Sequence, residues 1–200
     1  MSWHRLDSEK SQKMLDAVKS SGEALLFSQK NNEVKCMRLS FYSDFLLYRI
    51  ENTATLPIFS MDFLGHNEEF FHLDGTNGAL QAVSKKSQLS LRDDNIAAYL
   101  QFYFFNVIQD DGEIFPLFEA SPLPDLDNQN IHASLDSIPV GTPGFQATLE
   151  NGRFSVVAPL FYDGTLMQGT LAVSLDGKVE ITGITPLLGN SFNDSIGDSL

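Results

Sequence analysis

The fold class is decided by residues 145–182, which read FQATLENGRFSVVAPLFYDGTLMQGTLAVSLDGKVEIT. Apolar and polar residues alternate along most of this stretch, which is the pattern of strands with one buried face. Asn151-Gly152 is a two-residue turn of the kind that closes β-hairpins, and Asp163-Gly164 is a second one. The stretch therefore predicts an antiparallel β-meander of four strands within residues 144–188.

The turns also fix which residues face each other. The pairs that follow from the first two turns are Leu149–Phe154, Ala147–Val156, Phe145–Ala158, Leu160–Met167, Val156–Leu171 and Phe154–Val173. For the third turn, a two-residue loop sets Val173 opposite Glu180 and mixes the two faces. A three-residue loop at 175–177, with Gly177 left-handed, sets Val173 opposite Val179. We expect the three-residue loop, because it keeps the apolar side chains on one face.

One exception interrupts the polar face of the meander. Val157, Pro159 and Phe161 are apolar, although most of their neighbours on that face are polar. Two interpretations fit this trio: another part of the chain packs on it, or it is a surface for self-association. Pro159 also lies nearly opposite Gly169, which indicates a bulge or bend at that point.

Two main helices are expected upstream of the meander. The first follows a capping pair at residues 7–8. The second starts with Ser90 as its cap, and an apolar stripe runs along it over residues 96–107. Phe102 and Phe105 broaden this stripe nearly all round, so the second helix should be buried on most sides and pack on the apolar face of the sheet.

The remaining segments complete an α+β fold with a largely antiparallel sheet of about eight strands. Short β-like runs lie at 24–28, 34–40, 45–51, 56–64, 69–73 and 114–118. We expect a single domain over residues 1–200, in which 1–119 is the part with helices and strands, 120–143 is a Pro-rich arm, 144–188 is the meander and 189–200 is a frayed tail. The arm fits four interpretations: a boundary, a wrapping arm, a lid, or a loop packed over the surface.

Charge and composition exclude several classes of partner. The 26 acidic and 13 basic residues give a net charge of −13, and such a chain repels nucleic acids and anionic membranes. The only adjacent basic pair, Lys85-Lys86, is expected on a solvated turn. Residues 1–7 lack the apolar core of a signal peptide, and residues 96–108 are too short to span a bilayer. These features favour a soluble protein of a bacterial-type cytoplasm.

Residues that could bind a metal ion cluster between positions 62 and 74. They are Asp62, His66, Glu68, Glu69, His72 and Asp74. On an extended strand, His66 and His72 lie about 20 Å apart, too far to share an ion unless the chain turns between them. We therefore interpret this stretch as a charged rim at a strand end, and we expect no metal and no cofactor.

Catalytic signatures are weak. His72 and Asp74 are two residues apart on a strand, where a carboxylate can orient an imidazole for acid–base chemistry, although most such pairs are structural. His132 lies in the Pro-rich arm, and Cys36, the lone cysteine, has no recognisable base partner and is interpreted as an inert half-buried thiol. Motifs for a serine nucleophile or a phosphate-binding loop do not occur.

The 16 phenylalanines suggest three roles: filling the core, lining a partly open apolar pocket between a helix and the sheet, or forming an exposed patch for a partner. Phe102 and Phe105 are therefore candidate binding residues, together with the trio Val157, Pro159 and Phe161.

The segments Leu73-Asp74-Gly75-Thr76 and Tyr99-Leu100-Gln101-Phe102, followed by the meander, resemble an uncharacterised family of bacterial proteins. The resemblance covers about the last two-thirds of the chain and implies no activity, so it assigns no site residues.

The sequence favours a non-catalytic binding or protein-interaction protein, expected to be a homodimer. Its partner would be a second copy, another protein or a small apolar ligand. The alternative is a small hydrolase- or isomerase-like enzyme with His72 and Asp74 in a cleft, under residues 120–143 as a lid. A third hypothesis is a structural subunit.

Overall fold

The protein was analysed as a computed structural model, which describes residues 2–20, 27, 31–54, 56–109, 112, 114–117, 144–163 and 165–187. The helices are α1 (Ser8–Ser20), α2 (Gly78–Lys86) and α3 (Ile96–Asn106). The strands are β1 (His4–Arg5), β2 (Asn32–Arg38), β3 (Leu46–Asn52), β4 (Phe59–His66), β5 (Glu69–His72), β6 (Ile114–Pro116), β7 (Gln146–Glu150), β8 (Arg153–Tyr162), β9 (Thr165–Ser174) and β10 (Val179–Pro186). The predicted arm at 120–143, the predicted tail at 189–200 and most of the predicted strand at 24–28 lie outside the described residues.

The strands form two antiparallel sheets. The first sheet has the order β1-β2-β3-β4-β5, and the second has the order β10-β9-β8-β6, with β7 also paired to β8. The α+β class with antiparallel sheet is therefore confirmed. The expectation of a single sheet of about eight strands is corrected, because the described residues hold ten strands in two sheets.

The described residues contain three helices, and α2 is the one that the sequence did not predict. Lys85 and Lys86, expected on a turn, form its last helical turn. The helix has only nine residues and buries Ala79, Leu80 and Val83. Such a short apolar pattern carries little helical periodicity, which explains why it was missed.

The C-terminal meander is confirmed together with its register. The pairs Leu149–Phe154, Leu160–Met167 and Val173–Val179 are all present. Gly177 has a φ of +90°, as the three-residue loop requires. The expected bulge at Pro159 and Gly169 is absent, because β8 and β9 pair without a shift. Gly169 instead makes room for the Leu160 side chain, and the irregularity lies in β10, between Ile181 and Gly183.

Helix α3 begins later than predicted, at Ile96 rather than just after Ser90. The Arg92 carbonyl accepts hydrogen bonds from the backbone N–H groups of Asn95 and Ile96, so residues 92–95 form a turn. The buried Asn95 side chain holds this turn: its Oδ1 accepts from the Arg92 N–H at 2.8 Å, and its Nδ2 donates to the Ser90 carbonyl at 2.8 Å. The polar residues before Ile96 are therefore part of a packed turn.

One hydrophobic core joins the two sheets around α3. Eight of the eleven residues of α3 are buried, in a cluster that includes Met37 and Leu64 of the first sheet and Val156 and Leu171 of the second. This confirms that α3 is buried on most sides. A smaller cluster packs α1 against the opposite face of the first sheet, through Met14, Leu15, Val18, Phe27, Val34, Ile50 and Phe63.

Candidate functional site

The weak catalytic candidates lie at the end of β5 and in the turn that follows it. His72 is paired with Phe63 of β4, and the two rings are 5.2 Å apart. Asp74 is exposed, and its Oδ1 accepts hydrogen bonds from the Thr76 hydroxyl at 2.7 Å and the Thr76 N–H at 2.9 Å. These bonds lower the pKa of Asp74. These hydrogen bonds hold the turn before α2, and an electrostatic interaction with His72 also lowers the pKa of Asp74.

The acidic and histidine side chains between positions 62 and 74, interpreted as a charged rim, contact several different partners. Asp62 pairs with Arg49, and Glu69 pairs with Lys86. The His66 ring lies within hydrogen-bond distance of the Asp44 carbonyl and the Asn67 amide. Within the part of the chain that the structure describes, no group of three or more His, Cys, Asp and Glu side chains could hold a metal ion.

The sequence pointed to two other candidates, His132 and Cys36. His132 lies outside the described residues. Cys36 is half-buried in β2, and burial raises the pKa of its thiol while Lys10 opposes the rise. A raised pKa leaves less of the reactive thiolate at neutral pH.

The apolar binding candidates differ widely in accessibility. Phe102 is completely buried in the core, whereas 43% of Phe105 is exposed. Pro159 is buried, and Val157 and Phe161 are half-buried. A partner can therefore reach Phe105, but it reaches Phe102 only if the core opens.

A cleft lies between α1 and the first sheet, and we call it the α1 cleft. It has a volume of about 570 Å³. It is lined by Leu6, Lys10, Lys13, Met14, Asp16, Ala17, Tyr48, Asn67, Glu68 and Phe70. A groove on the other flank of α1, against β2, is larger at about 940 Å³ but is lined mainly by charged, amide and hydroxyl side chains.

The wall of the α1 cleft depends on a glycine. Phe70 and Tyr48 meet edge to face, with ring centroids 5.3 Å apart. Gly65 lies directly opposite Phe70 across the β4–β5 pair, and a Cβ atom there would come within 2.5 Å of the Phe70 ring. The Phe70 ring thus occupies the space that Gly65 leaves free, and burial raises the pKa of the neighbouring Tyr48 hydroxyl.

The two lysines at the rim of the cleft are paired along α1. Lys13 pairs with Glu9 at 2.8 Å, and Lys10 pairs with Asp7 at 3.4 Å. Both pairs are well exposed, so each contributes little to stability. Asp16 and Glu68 add two further carboxylates to the rim.

A second apolar feature lies at the tip of the β3–β4 hairpin, and we call residues 56–59 the hairpin tip. Leu56 is 97% exposed, and Ile58 and Phe59 are also exposed. The stretch from Asn52 to Met61 contains no charged residue. A contiguous exposed apolar patch of this kind is typical of interaction surfaces.

A half-buried ion pair, which the sequence analysis did not predict, lies on the face of the first sheet opposite α1. Arg49 donates to both carboxylate oxygens of Asp62 at 2.8 Å, and the Trp3 ring lies 5.0 Å from the guanidinium carbon. The two residues are direct neighbours in the β3–β4 register. Only knowledge of that pairing could have predicted their contact.

Comparisons with protein-family models, curated proteins and solved structures return no match for this chain. Among the described helices, none combines the length and the apolar character needed to cross a membrane.

Proposed function

We propose that this chain is a non-catalytic binding protein whose α1 cleft holds a small apolar molecule. The observation that carries the proposal is the cleft itself. Its volume of about 570 Å³ falls within the roughly 300–1,000 Å³ of small-molecule sites. Its floor and walls are supplied by Leu6, Met14, Ala17, Tyr48 and Phe70.

Two features of the cleft favour binding over catalysis. Its titratable groups are Lys10, Lys13, Asp16, Tyr48 and Glu68, and the two lysines already form ion pairs with carboxylates on or beside α1. Both lysines are therefore engaged, and Leu6, Met14 and Phe70 offer contact surface to an apolar ligand.

The test is an NMR titration of the isotope-labelled full chain with 1-octanol. We expect saturable shifts of the backbone signals of Ala17, Tyr48 and Phe70. Ala17→Leu should weaken the affinity about tenfold or more, because the added methyl groups occupy the space of the ligand. Shifts spread evenly over the surface, or the same affinity in the variant, would exclude the α1 cleft as the site.

The matched control is Ser8→Leu. Ser8 lies on the same helix, is exposed and lines the groove on the other flank. This substitution adds apolar surface to α1 and leaves the cleft open, so its octanol affinity should match that of the wild type. A loss of affinity in this control would mean that α1, rather than the cleft, is disturbed.

Self-association through the hairpin tip is the second candidate function. The observation that favours it is the exposure of Leu56, Ile58 and Phe59 within a stretch that carries no charge. In a chain of net charge −13, two copies repel each other over most of their surface. An uncharged tip allows them to meet without bringing carboxylates together.

Native mass spectrometry tests this second candidate. A dimer is expected for the wild type and for the control Leu149→Ser, which removes an exposed leucine elsewhere. Leu56→Ser should shift the population to monomer. A monomeric wild type would exclude the candidate, and a dimer lost only in Phe161→Asp would place the contact at Val157, Pro159 and Phe161.

A further inference from the structure

A second and separate cleft lies between α2, Tyr99 of α3 and the β9–β10 loop. Its volume is about 280 Å³, which is about nine times the ~30 Å³ that one water molecule occupies in the liquid. None of its lining residues belongs to the α1 cleft. The space suits a single small molecule.

The cleft is held in shape by hydrogen bonds across its floor. The Tyr99 hydroxyl donates to the Gly177 carbonyl at 2.6 Å, which joins α3 to the β9–β10 loop. In the same loop the Ser174 hydroxyl donates to Asp176 Oδ1, and the Lys178 N–H donates to the Ser174 hydroxyl oxygen at 3.2 Å. The loop therefore presents the Asp176 carboxylate in a fixed position.

Two of the charged residues that line this cleft, Asp176 and Lys85, have opposite charges, and each can still bind a ligand atom. The hydrogen bonds that Asp176 accepts in the described structure all go to Oδ1, so Oδ2 is available. Lys178 pairs with Glu180 at 2.6 Å. Lys85 of α2 has no ion-pair partner among the described residues. The cleft thus offers one carboxylate oxygen from the loop and one ammonium group from α2.

A buried tyrosine lies next to a residue of the cleft. Tyr42 is 5% exposed. Burial raises its pKa, and a hydrogen bond with the side chain of Ser84, which lines the cleft, opposes the rise. Leu80 and the Tyr99 ring add an apolar wall.

We infer that this cleft binds a free α-amino acid, with its carboxylate at Lys85, its ammonium group at Asp176 and its side chain against Leu80 and Tyr99. Both charges of the ligand then meet an opposite charge, the Lys85 ammonium group and the Oδ2 atom of Asp176. A plain anion would use Lys85 but place its charge near Asp176, and a plain cation would do the reverse. The zwitterion is the class that satisfies both groups.

The experiment is a titration of the full chain with a panel of standard amino acids, followed by isothermal calorimetry and NMR. At least one amino acid should bind with signals shifting at Ser84, Lys85 and Gly177. Its N-acetyl derivative, which lacks the ammonium group, and its amide, which lacks the carboxylate, should each bind about tenfold more weakly or worse. Absence of binding by every amino acid in the panel would overturn the inference.

Matched variants identify the two charged groups. Lys85→Gln and Asp176→Asn should each weaken the affinity about tenfold or more. Lys86→Gln, which changes the next residue of α2 and removes an ion pair with Glu69 outside the cleft, should leave it unchanged. An N-acetyl derivative that binds as tightly as the free amino acid would show that Asp176 does not recognise the ammonium group. Equal affinity of Lys85→Gln and wild type would overturn the role of Lys85.

Discussion

Gly177 is the residue on which the β9–β10 loop depends. Its φ of +90° is unfavourable for any residue with a side chain, and a Cβ atom there would lie 2.5 Å from the Tyr99 hydroxyl. Gly177→Ala should therefore lower the free energy of unfolding by about 2–3 kcal/mol, of which about 1–2 comes from the backbone and about 1 from the strained Tyr99 hydrogen bond. Urea denaturation measures this loss.

The control for that substitution is Gly152→Ala in the β7–β8 turn. Gly152 also has a positive φ, of +75°, but a Cβ atom there would meet nothing within 4 Å. Gly152→Ala should therefore lower the free energy of unfolding only by the backbone contribution of about 1–2 kcal/mol. Equal losses in the two variants would show that the Tyr99 contact contributes nothing to stability.

The ion pair of Arg49 and Asp62 supports a second prediction at the residue scale. Only 13% and 14% of these side chains are exposed, so Arg49→Met leaves a largely buried carboxylate without its partner. We expect it to lower the free energy of unfolding by about 2–4 kcal/mol. The double variant Arg49→Met with Asp62→Leu should recover much of this loss in thermal denaturation. A double variant less stable than Arg49→Met would contradict this account.

At the scale of elements, helix α3 carries two phenylalanines that differ in burial. Phe102→Ala removes a ring that is completely buried between the two sheets, so we expect a loss of about 3–5 kcal/mol. Phe105→Ala removes a ring that is 43% exposed and should cost about 1 kcal/mol or less. Urea denaturation of both variants compares them directly. Similar losses would mean that α3 is not enclosed as described.

The elements that the sequence predicted well are those whose signals are local. The Asn151-Gly152 turn and the alternation along β8 and β9 determine the register of the meander within a few residues. The apolar residues of α3 are so dense that burial on most sides follows from the sequence alone. In contrast, α2 presents only a short apolar pattern around Leu80 and Val83, and the division into two sheets depends on which distant strands pair.

The candidate site was predicted only in general terms. An apolar pocket between a helix and the sheet was one of the roles considered for the aromatic residues, but the helix was expected to be α3. The α1 cleft depends on Gly65 facing Phe70 and on Tyr48 packing against that ring. These are contacts between strands, and no spacing along the chain reveals them.

For the whole molecule, the buried tyrosines predict the response to alkaline pH. Burial raises the pKa of Tyr42, Tyr48, Tyr99 and Tyr103 above the ordinary 10.0. The unfolded chain loses these protons first as the pH rises past 10, so the free energy of unfolding should fall from that point. Tyrosinate absorbance and circular dichroism, recorded together, check this. Titration of these four residues near 10.0 without any change in stability would contradict it.

Also at the scale of the molecule, two clefts and an apolar tip divide the surface into distinct regions. The α1 cleft lies between α1 and the first sheet, the second cleft lies against α2 and the second sheet, and the hairpin tip projects from the first sheet. Because these regions share no lining residue, a variant in one should leave binding at the others intact. Binding at each of the three regions can therefore be tested separately.

The most direct test of the α1 cleft as the binding site for an apolar molecule is to measure intermolecular nuclear Overhauser effects between 1-octanol and the protein. If octanol binds in the α1 cleft, we expect contacts from its methylene protons to the rings of Tyr48 and Phe70 and to the methyl group of Met14. Contacts only to Leu56, Ile58 and Phe59 would place the apolar ligand at the hairpin tip. That result, or the absence of any contact, would contradict the α1 cleft as the binding site.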